Sequence, residues 1–189
     1  MNGTVYEVEG HLILRFERFV GQPAAKVWRA LTEPDRLAAW FPTEVHADLT
    51  LGGRHRFGFR CGGNPIGTVT SIDPPHELEF CWGEDLIRVT LTPVPGGCLL
   101  VLSDVYDDRS RSARDAAGWH TCLDLLEAHL SGRTPVWSQQ ERWAELYACY
   151  VEDLRANRAQ RPIGTLPQPG LPVENGPVGR IPVQAQRAS

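Results

Sequence analysis

A histidine and an aspartate four residues apart, His120 and Asp124, have the types and spacing needed for acid–base chemistry. On a helix this spacing places both side chains on one face, where the carboxylate can orient the imidazole. An imidazole oriented in this way and pointing into a cavity can act as a general base. If the helix turned the pair outward, it would be an ordinary solvated flank. The sequence leaves both possibilities open, so the pair is a weak catalytic candidate.

A second group of residues is suited to binding, because its members are aromatic. Such rings can stack against planar or apolar ligands, each adding about 0.5–1.5 kcal/mol beyond plain burial. The alternative is that they only fill the core. One leucine, which follows Trp119 by four residues on the same predicted helix, is added to the aromatic residues. The binding candidates are Trp40, Phe41, Phe57, Phe59, Trp82, Trp119 and Leu123.

Composition narrows the classes of partner and cofactor. The formal net charge is −4, which argues against nucleic-acid binding, since that requires clustered basic residues. No apolar stretch approaches the roughly 20 residues of a membrane span, and residues 1–10 do not resemble a signal peptide. The cysteines are scattered without a C-x-x-C pair, and the histidines stand apart, so no metal motif is indicated. We expect a cytoplasmic protein, monomer or homodimer, without metal or cofactor.

The elements that must position these residues begin with a strand over 11–20, predicted from alternating apolar side chains. Two short helices should follow, the first starting at Pro23 and the second covering 35–40. Strands are then predicted over 45–51, 54–59, 67–72, 77–82, 86–93 and 98–105. Short glycine- and proline-rich links join them, and such links connect only antiparallel neighbours. The sequence therefore predicts an antiparallel meander.

A long helix should begin near Ser112, where a hydroxyl N-cap and Asp115 suggest a capping box, and end at Gly132. Another helix should start at Ser138, with Glu141 completing a second capping box. Residues 161–189 are rich in proline and lack aromatic residues, a composition typical of disordered segments. The predicted organisation is a flexible N-terminus over 1–10, a main domain over 11–132, an additional helix packed on it within 133–160, and a disordered tail over 161–189.

Several strings of the sequence resemble one protein family. They are VWRALT (27–32), LAAWFP (37–42), DLTLGGR (48–54), IDPP (72–75) and GWHTCLDLL (118–126). They resemble the bacterial family related to the C-terminal domain of the activator of Hsp90 ATPase, in the START/Bet v 1-like superfamily. The resemblance implies an α+β helix-grip fold. In that fold a curved antiparallel sheet wraps around a long C-terminal helix, and two short helices follow the first strand.

The resemblance also carries expectations about function. The gap between a strongly curved sheet and its helix commonly becomes a ligand cavity, and the fold implies that the aromatic candidates line this cavity or its mouth. We therefore expect a protein that binds a small hydrophobic or aromatic molecule between sheet and helix. Two alternatives stay open. One is a cofactor-independent enzyme of the aromatase, cyclase or hydrolase kind using the same cavity, and the other is a protein-interaction module like the Hsp90 activator.

Overall fold

An antiparallel sheet forms the framework of the molecule, and its order follows the sequence closely. The computed structural model describes residues 2–41, 44–58 and 66–160. Its strands are β1 (Thr4–Val8), β2 (His11–Val20), β3 (Glu44–Ala47), β4 (Arg54–Gly58), β5 (Ile66–Asp73), β6 (Glu77–Trp82), β7 (Asp85–Val94) and β8 (Gly97–Tyr106). Their spatial order is β1-β2-β8-β7-β6-β5-β4-β3. Every pair of neighbours is antiparallel and β3 to β8 follow one another, so the predicted meander is confirmed.

In the described part of the chain, four α-helices accompany the sheet: α1 (Ala24–Thr32), α2 (Pro34–Leu37), α3 (Ser112–Ser131) and α4 (Gln139–Gln160). The first two connect β2 to β3. The long helix α3 packs on the sheet through a stripe that includes Trp119, Leu123 and Leu126, all buried. This arrangement is the α+β helix-grip fold that the family resemblance implies.

Strand β8 shows how the sequence pattern produces the buried face of the sheet. Its side chains alternate strictly, and every second one is buried: Cys98, Leu100, Leu102, Asp104 and Tyr106. Successive side chains of a strand point to opposite faces, so these five face α3. Four of them are ordinary core residues, whereas the aspartate is a carboxylate placed on an apolar face.

The N-terminal residues correct one expectation. Residues 1–10 were predicted to be flexible, but Thr4–Val8 forms strand β1 and pairs with β2. The connection is a two-residue turn in which Glu9 and Gly10 both have positive φ, 52° and 90°. Turns of this backbone type match the twist of the flanking strands and favour a hairpin. The pattern-based prediction overlooked this Glu-Gly turn.

The long helix also begins differently from the prediction. Ser112 is not its N-cap, because a turn of 3₁₀ helix over Arg109–Arg111 precedes it. The Ser112 hydroxyl instead donates a hydrogen bond of 2.9 Å to the Arg109 carbonyl oxygen and accepts one of 2.8 Å from the Tyr106 hydroxyl. The end of α3 is as predicted, with Gly132 in the left-handed conformation at φ 68°. Helix α2 ends at Leu37, three residues earlier than expected.

At the C-terminal side, the capping box of α4 is present as predicted. The Ser138 N–H donates to Glu141 Oε2 at 2.8 Å, and the Glu141 N–H donates to Ser138 Oγ at 3.2 Å. The helix packs on α3 and buries Leu146 and Tyr150. The proline-rich segment 161–189 lies outside the described residues. None of the helices in the described part of the chain has both the length and the apolar character needed to cross a membrane.

Candidate ligand-binding site

The space between the sheet and α3, where a ligand cavity was expected, is nearly filled. It measures about 70 Å³ and is lined by apolar side chains that include Val89, Leu100 and Leu123. Ligand pockets usually measure about 300–1,000 Å³. Trp40 borders this interior void, and its indole N–H donates to the Ala30 carbonyl oxygen at 2.8 Å. The ring is therefore held by the core, and the void has no room for a ligand.

A space ten times larger lies beside the N-terminal half of α3. We call it the groove; its volume is about 730 Å³. Four aromatic side chains line it, namely Phe41, Trp82, Trp119 and Trp143. The ring centroids of Trp82 and Trp119 lie 5.7 Å apart in an edge-to-face arrangement, and Phe41 lies 6.2 Å from each. Phe41 and Trp119 also border the interior void, so their rings separate the two spaces.

Asp104 lines this groove and is 2% exposed. Its neighbours across the sheet are Leu14 on β2 and Ile87 on β7, both fully buried. One carboxylate oxygen, Oδ2, accepts a hydrogen bond of 2.9 Å from the Trp119 indole N–H. The other, Oδ1, is buried and has no hydrogen-bond partner among the described residues. A buried polar atom without a partner is costly, and Oδ1 keeps the capacity to accept a hydrogen bond.

The surroundings of this carboxyl change its acidity. The pKa of Asp104 is raised from 3.8 to about 7, mainly by burial and also by the carboxylates of Asp85 and Asp115. The hydrogen bond from Trp119 and the charge of Arg111 act in the opposite direction. Both the neutral and the ionised form are therefore populated near neutral pH, and the group can donate a proton, accept one or pair with a cation.

The charges around the groove are unbalanced. Six carboxyl groups line it, those of Glu84, Asp85, Asp104, Asp107, Asp108 and Asp115, against the two guanidinium groups of Arg111 and Arg114. Both arginines pair with acids of the groove: Arg111 with Asp85 and Asp115, and Arg114 with Asp115.

No three potential ligand side chains in residues 2–41, 44–58 and 66–160 are arranged to hold a metal ion. The thiol of Cys122 also lines the groove, but burial raises its pKa to about 12 and keeps it protonated.

The weak catalytic pair, His120 and Asp124, lies elsewhere. His120 is buried at the junction of β2, α3 and α4, and neither residue lines the groove or the interior void. His120 Nδ1 lies 2.9 Å from the Tyr150 hydroxyl, and His120 Nε2 lies 3.6 Å from Asp124 Oδ1. Asp124 also binds the guanidinium groups of Arg18 and Arg142, at 3.2 Å and 2.8 Å. Burial lowers the pKa of His120. The pair is thus neither a solvated flank nor part of the groove or the interior void, and its contacts connect α4 to β2 and α3.

The aromatic candidates divide between the two spaces. Trp82 lines the groove, Phe41 and Trp119 line both spaces, and Trp40 and Leu123 line the interior void only. The side chain of Phe57 and the whole of Phe59 lie outside the described residues.

Sequence reasoning missed Asp104 as a site residue, although a signal was available. Asp104 shares the strand parity of Leu100 and Leu102, so an aspartate on the apolar face of β8 could have been recognised. Trp143 lies on α4, and nothing in the sequence indicates that it reaches the groove.

Comparison with known proteins identifies the family. A family model described as activator of Hsp90 ATPase homolog 1-like protein matches residues 22–131. This chain belongs to that family. The match includes α1, α2, β3 to β8 and all of α3, and it leaves out β1, β2 and α4. No protein with a curated description matches the chain significantly.

Solved structures share the fold. A conserved protein of unknown function, EF2215 from Enterococcus faecalis, is 24% identical with a TM-score of 0.68, over 82% of this chain and 91% of its own. CalU16 from Micromonospora echinospora is 22% identical with a TM-score of 0.59, over 81% of this chain and 96% of its own. DynU16, a protein in the dynemicin biosynthetic locus, is 29% identical with a TM-score of 0.58, over 64% of this chain and 48% of its own.

Proposed function

We propose that this family member binds a small aromatic molecule in the groove beside the N-terminal half of α3. The observation that carries the proposal is the contrast in volume, about 730 Å³ in the groove against about 70 Å³ between sheet and helix. The larger value falls within the range of pockets that enclose small ligands. The class of ligand, a small hydrophobic or aromatic molecule, is the one that the sequence predicts. The proposed binding site is the groove and no longer the space between sheet and helix.

The lining of the groove supports an aromatic ligand. Trp82, Trp119 and Trp143 offer ring faces and edges, and aromatic pairs contribute beyond the area that they bury. Ligand pockets typically combine apolar walls with a few polar groups that fix orientation. Here the buried Asp104 carboxyl would be the orienting group. One structural relative, DynU16, belongs to a biosynthetic locus, which agrees with a small-molecule ligand.

Gly118 gives a way to test the proposal without removing any contact. It lies on α3 and lines the groove, and a Cβ atom built on it meets no other atom within 4 Å. A Gly118→Leu substitution should therefore obstruct the groove beside α3 while leaving the fold intact, because leucine also favours a helix more than glycine does. Gly118→Ala is the matched control, since it makes the same backbone change and occupies little of the groove.

The experiment is a screen of neutral aromatic fragments by ligand-observed NMR against the full chain. We expect fragments that bind saturably to the parent protein and to Gly118→Ala, and that bind Gly118→Leu at least tenfold more weakly. Urea unfolding should show that both variants are at least as stable as the parent. Fragments that bind all three proteins equally, or a screen without a saturable hit, would contradict the proposal.

A second candidate function rests on the acidity of Asp104. A carboxyl group with a pKa of about 7 that lines a groove is suited to general acid–base catalysis near neutral pH. This candidate keeps the enzyme alternative but replaces His120 and Asp124, which do not line the groove. If a substrate is found, Asp104→Asn should lower its turnover about 100-fold or more, within the range of a lost acid–base group. His120→Gln should retain turnover, and the reverse result would restore the histidine assignment.

We do not extend the proposal to the third alternative, a protein-interaction module. In the described part of the chain, the exposed large apolar side chains are spread over separate elements: Val8, Phe19, Leu51, Ile66, Val136 and Tyr147. A docking face for a partner protein usually presents a contiguous apolar patch. The groove therefore supports ligand binding better than the surface supports partner binding.

A further inference from the structure

We infer that the ligand of the groove is an organic cation, an alkylamine that also carries an aromatic ring, whose protonated nitrogen pairs with the carboxylate of Asp104. This inference rests on the proposed function and names the chemical class of its ligand. It combines three features of the groove: a buried carboxylate oxygen without a partner, an excess of acidic side chains, and aromatic walls.

The first feature is the state of Asp104 itself. Its Oδ2 is occupied by the indole N–H of Trp119, whereas Oδ1 is buried without a partner. None of the ion pairs found among the described residues includes Asp104. The side chain is 2% exposed, so water screens its charge poorly. A donor that carries a positive charge would satisfy both the empty acceptor and the uncompensated charge.

The second feature is how the neighbouring charges are arranged. The two cations at the groove, Arg111 and Arg114, are already committed to Asp85 and Asp115. Six carboxyl groups thus face two guanidinium groups that cannot neutralise them all. Such a field attracts a cation and repels an anion. An anionic aromatic molecule of equal size should therefore bind much more weakly than a cationic one.

The third feature is the aromatic lining next to this carboxyl. Trp119 donates to Asp104 and also contacts Trp82 edge to face, and Trp143 borders the same space. The electron-rich face of an indole attracts an ammonium group, and the same rings can stack on the aromatic part of the ligand. One ligand with a ring and a protonated amine would use both kinds of contact.

Protonation of Asp104 gives the inference a signature. Its acidity is set by burial and by the charges that face it, those of Asp85 on β7, Asp115 on α3 and Arg111 before α3. With a pKa of about 7, the ionised fraction rises about tenfold between pH 6 and pH 8. A primary amine stays protonated over this range. The affinity for a cationic ligand should therefore rise about tenfold with pH, and binding below pH 7 should release the Asp104 proton to the solvent.

Three probes that share an indole ring separate charge from shape: tryptamine (cation), tryptophol (neutral) and indole-3-acetate (anion). We would measure their affinities by isothermal titration calorimetry at pH 6 and pH 8 in physiological salt. We expect tryptamine to bind at least tenfold more tightly than tryptophol at pH 8, and indole-3-acetate to bind most weakly. The tryptamine affinity should rise from pH 6 to pH 8, the indole-3-acetate affinity should fall, and the tryptophol affinity should change little.

Asp104→Asn should lower the tryptamine affinity at least fivefold at pH 8, towards that of tryptophol, and abolish its pH dependence. Asp153→Asn makes the same change at an exposed residue of α4 that does not line the groove. This control should alter neither the tryptamine affinity nor its pH dependence. Equal binding of tryptamine and tryptophol, unchanged in Asp104→Asn, would overturn the cation inference and leave groove binding standing. Preferred binding of indole-3-acetate would also overturn it. Failure of all three probes to bind would overturn this inference and groove binding together.

Discussion

The interior void and the groove are neighbours on the same helix, yet they have opposite characters. The void is bordered by aliphatic side chains of the sheet and of α3, such as Leu100, Leu102 and Leu123, and it is closed to about 70 Å³. The groove lies past the rings of Phe41 and Trp119, is bordered by six carboxyl groups, and holds about 730 Å³. Apolar side chains interdigitate and remove empty space. Charged side chains keep their water, so the space between them stays open.

This contrast shows where a helix-grip protein can place a site. The expected location between sheet and helix is here a packed core, and the space for a ligand lies at one end of the helix. The carboxyl of Asp104 stands at the boundary, since it faces the core by strand parity and lines the groove by position. Stability should therefore respond to changes in the void, and binding should respond to changes in the groove.

Removing a side chain from the void should have the largest effect on stability. Leu100 is 1% exposed, and Leu100→Ala should lower the free energy of unfolding by about 2–5 kcal/mol. Urea unfolding followed by circular dichroism measures this change. A ligand of the groove should keep its affinity within about twofold. A large loss of affinity in a variant that remains folded would show that the void takes part in binding.

Asp104→Asn should have a smaller effect that depends on pH. Because the folded pKa is raised above the unfolded value, the carboxyl group makes the native state less stable as pH rises from about 4 to about 7. The cost is fully present at pH 8, and asparagine does not incur it. We expect the variant to be more stable than the parent by about 2–4 kcal/mol at pH 8 and by little at pH 4.

Urea unfolding of Asp104→Asn and the parent protein at several pH values measures this difference. Asp153→Asn serves as the exposed control, and its difference from the parent should stay near zero throughout. A constant difference between Asp104→Asn and the parent across the pH range would show that the pKa of Asp104 is the same in the native and unfolded states.

Gly118→Ala should have the smallest effect, and it tests whether the groove is truly empty beside α3. Because the added methyl group meets open space, the only change should be the higher helix propensity of alanine. We expect a gain of about 0.5–1 kcal/mol in the free energy of unfolding. A loss of stability in thermal or urea unfolding would mean that the groove is packed at this point.

The sequence was sufficient for most of the fold, because the fold follows from strong local signals. Alternation defined β2, short turns fixed the antiparallel order, and the Ser138–Glu141 pair marked the start of α4. The errors occurred where a weaker signal competed with a familiar one. The Glu9-Gly10 turn was overlooked, and Ser112 resembled an N-cap although its hydroxyl binds the Arg109 carbonyl and the Tyr106 hydroxyl.

The site was less accessible from the sequence, because it depends on contacts between distant elements. Trp119 was recognised, but the partner of its indole N–H, Asp104 on β8, was not. His120 and Asp124 have suitable spacing, yet the arginines that bind Asp124 come from β2 and α4. Spacing within one helix cannot reveal such partners. The volumes of the void and the groove depend on side-chain packing throughout the domain, which no local pattern encodes.

The central claim is that the ligand occupies the groove and not the space between sheet and helix. Intermolecular nuclear Overhauser effects test it directly, using the tighter-binding of tryptamine and tryptophol as the ligand. We predict contacts from its ring protons to Trp82 and Trp143, which line only the groove. Contacts to the methyl groups of Val89 and Leu100, which line only the interior void, would contradict the claim.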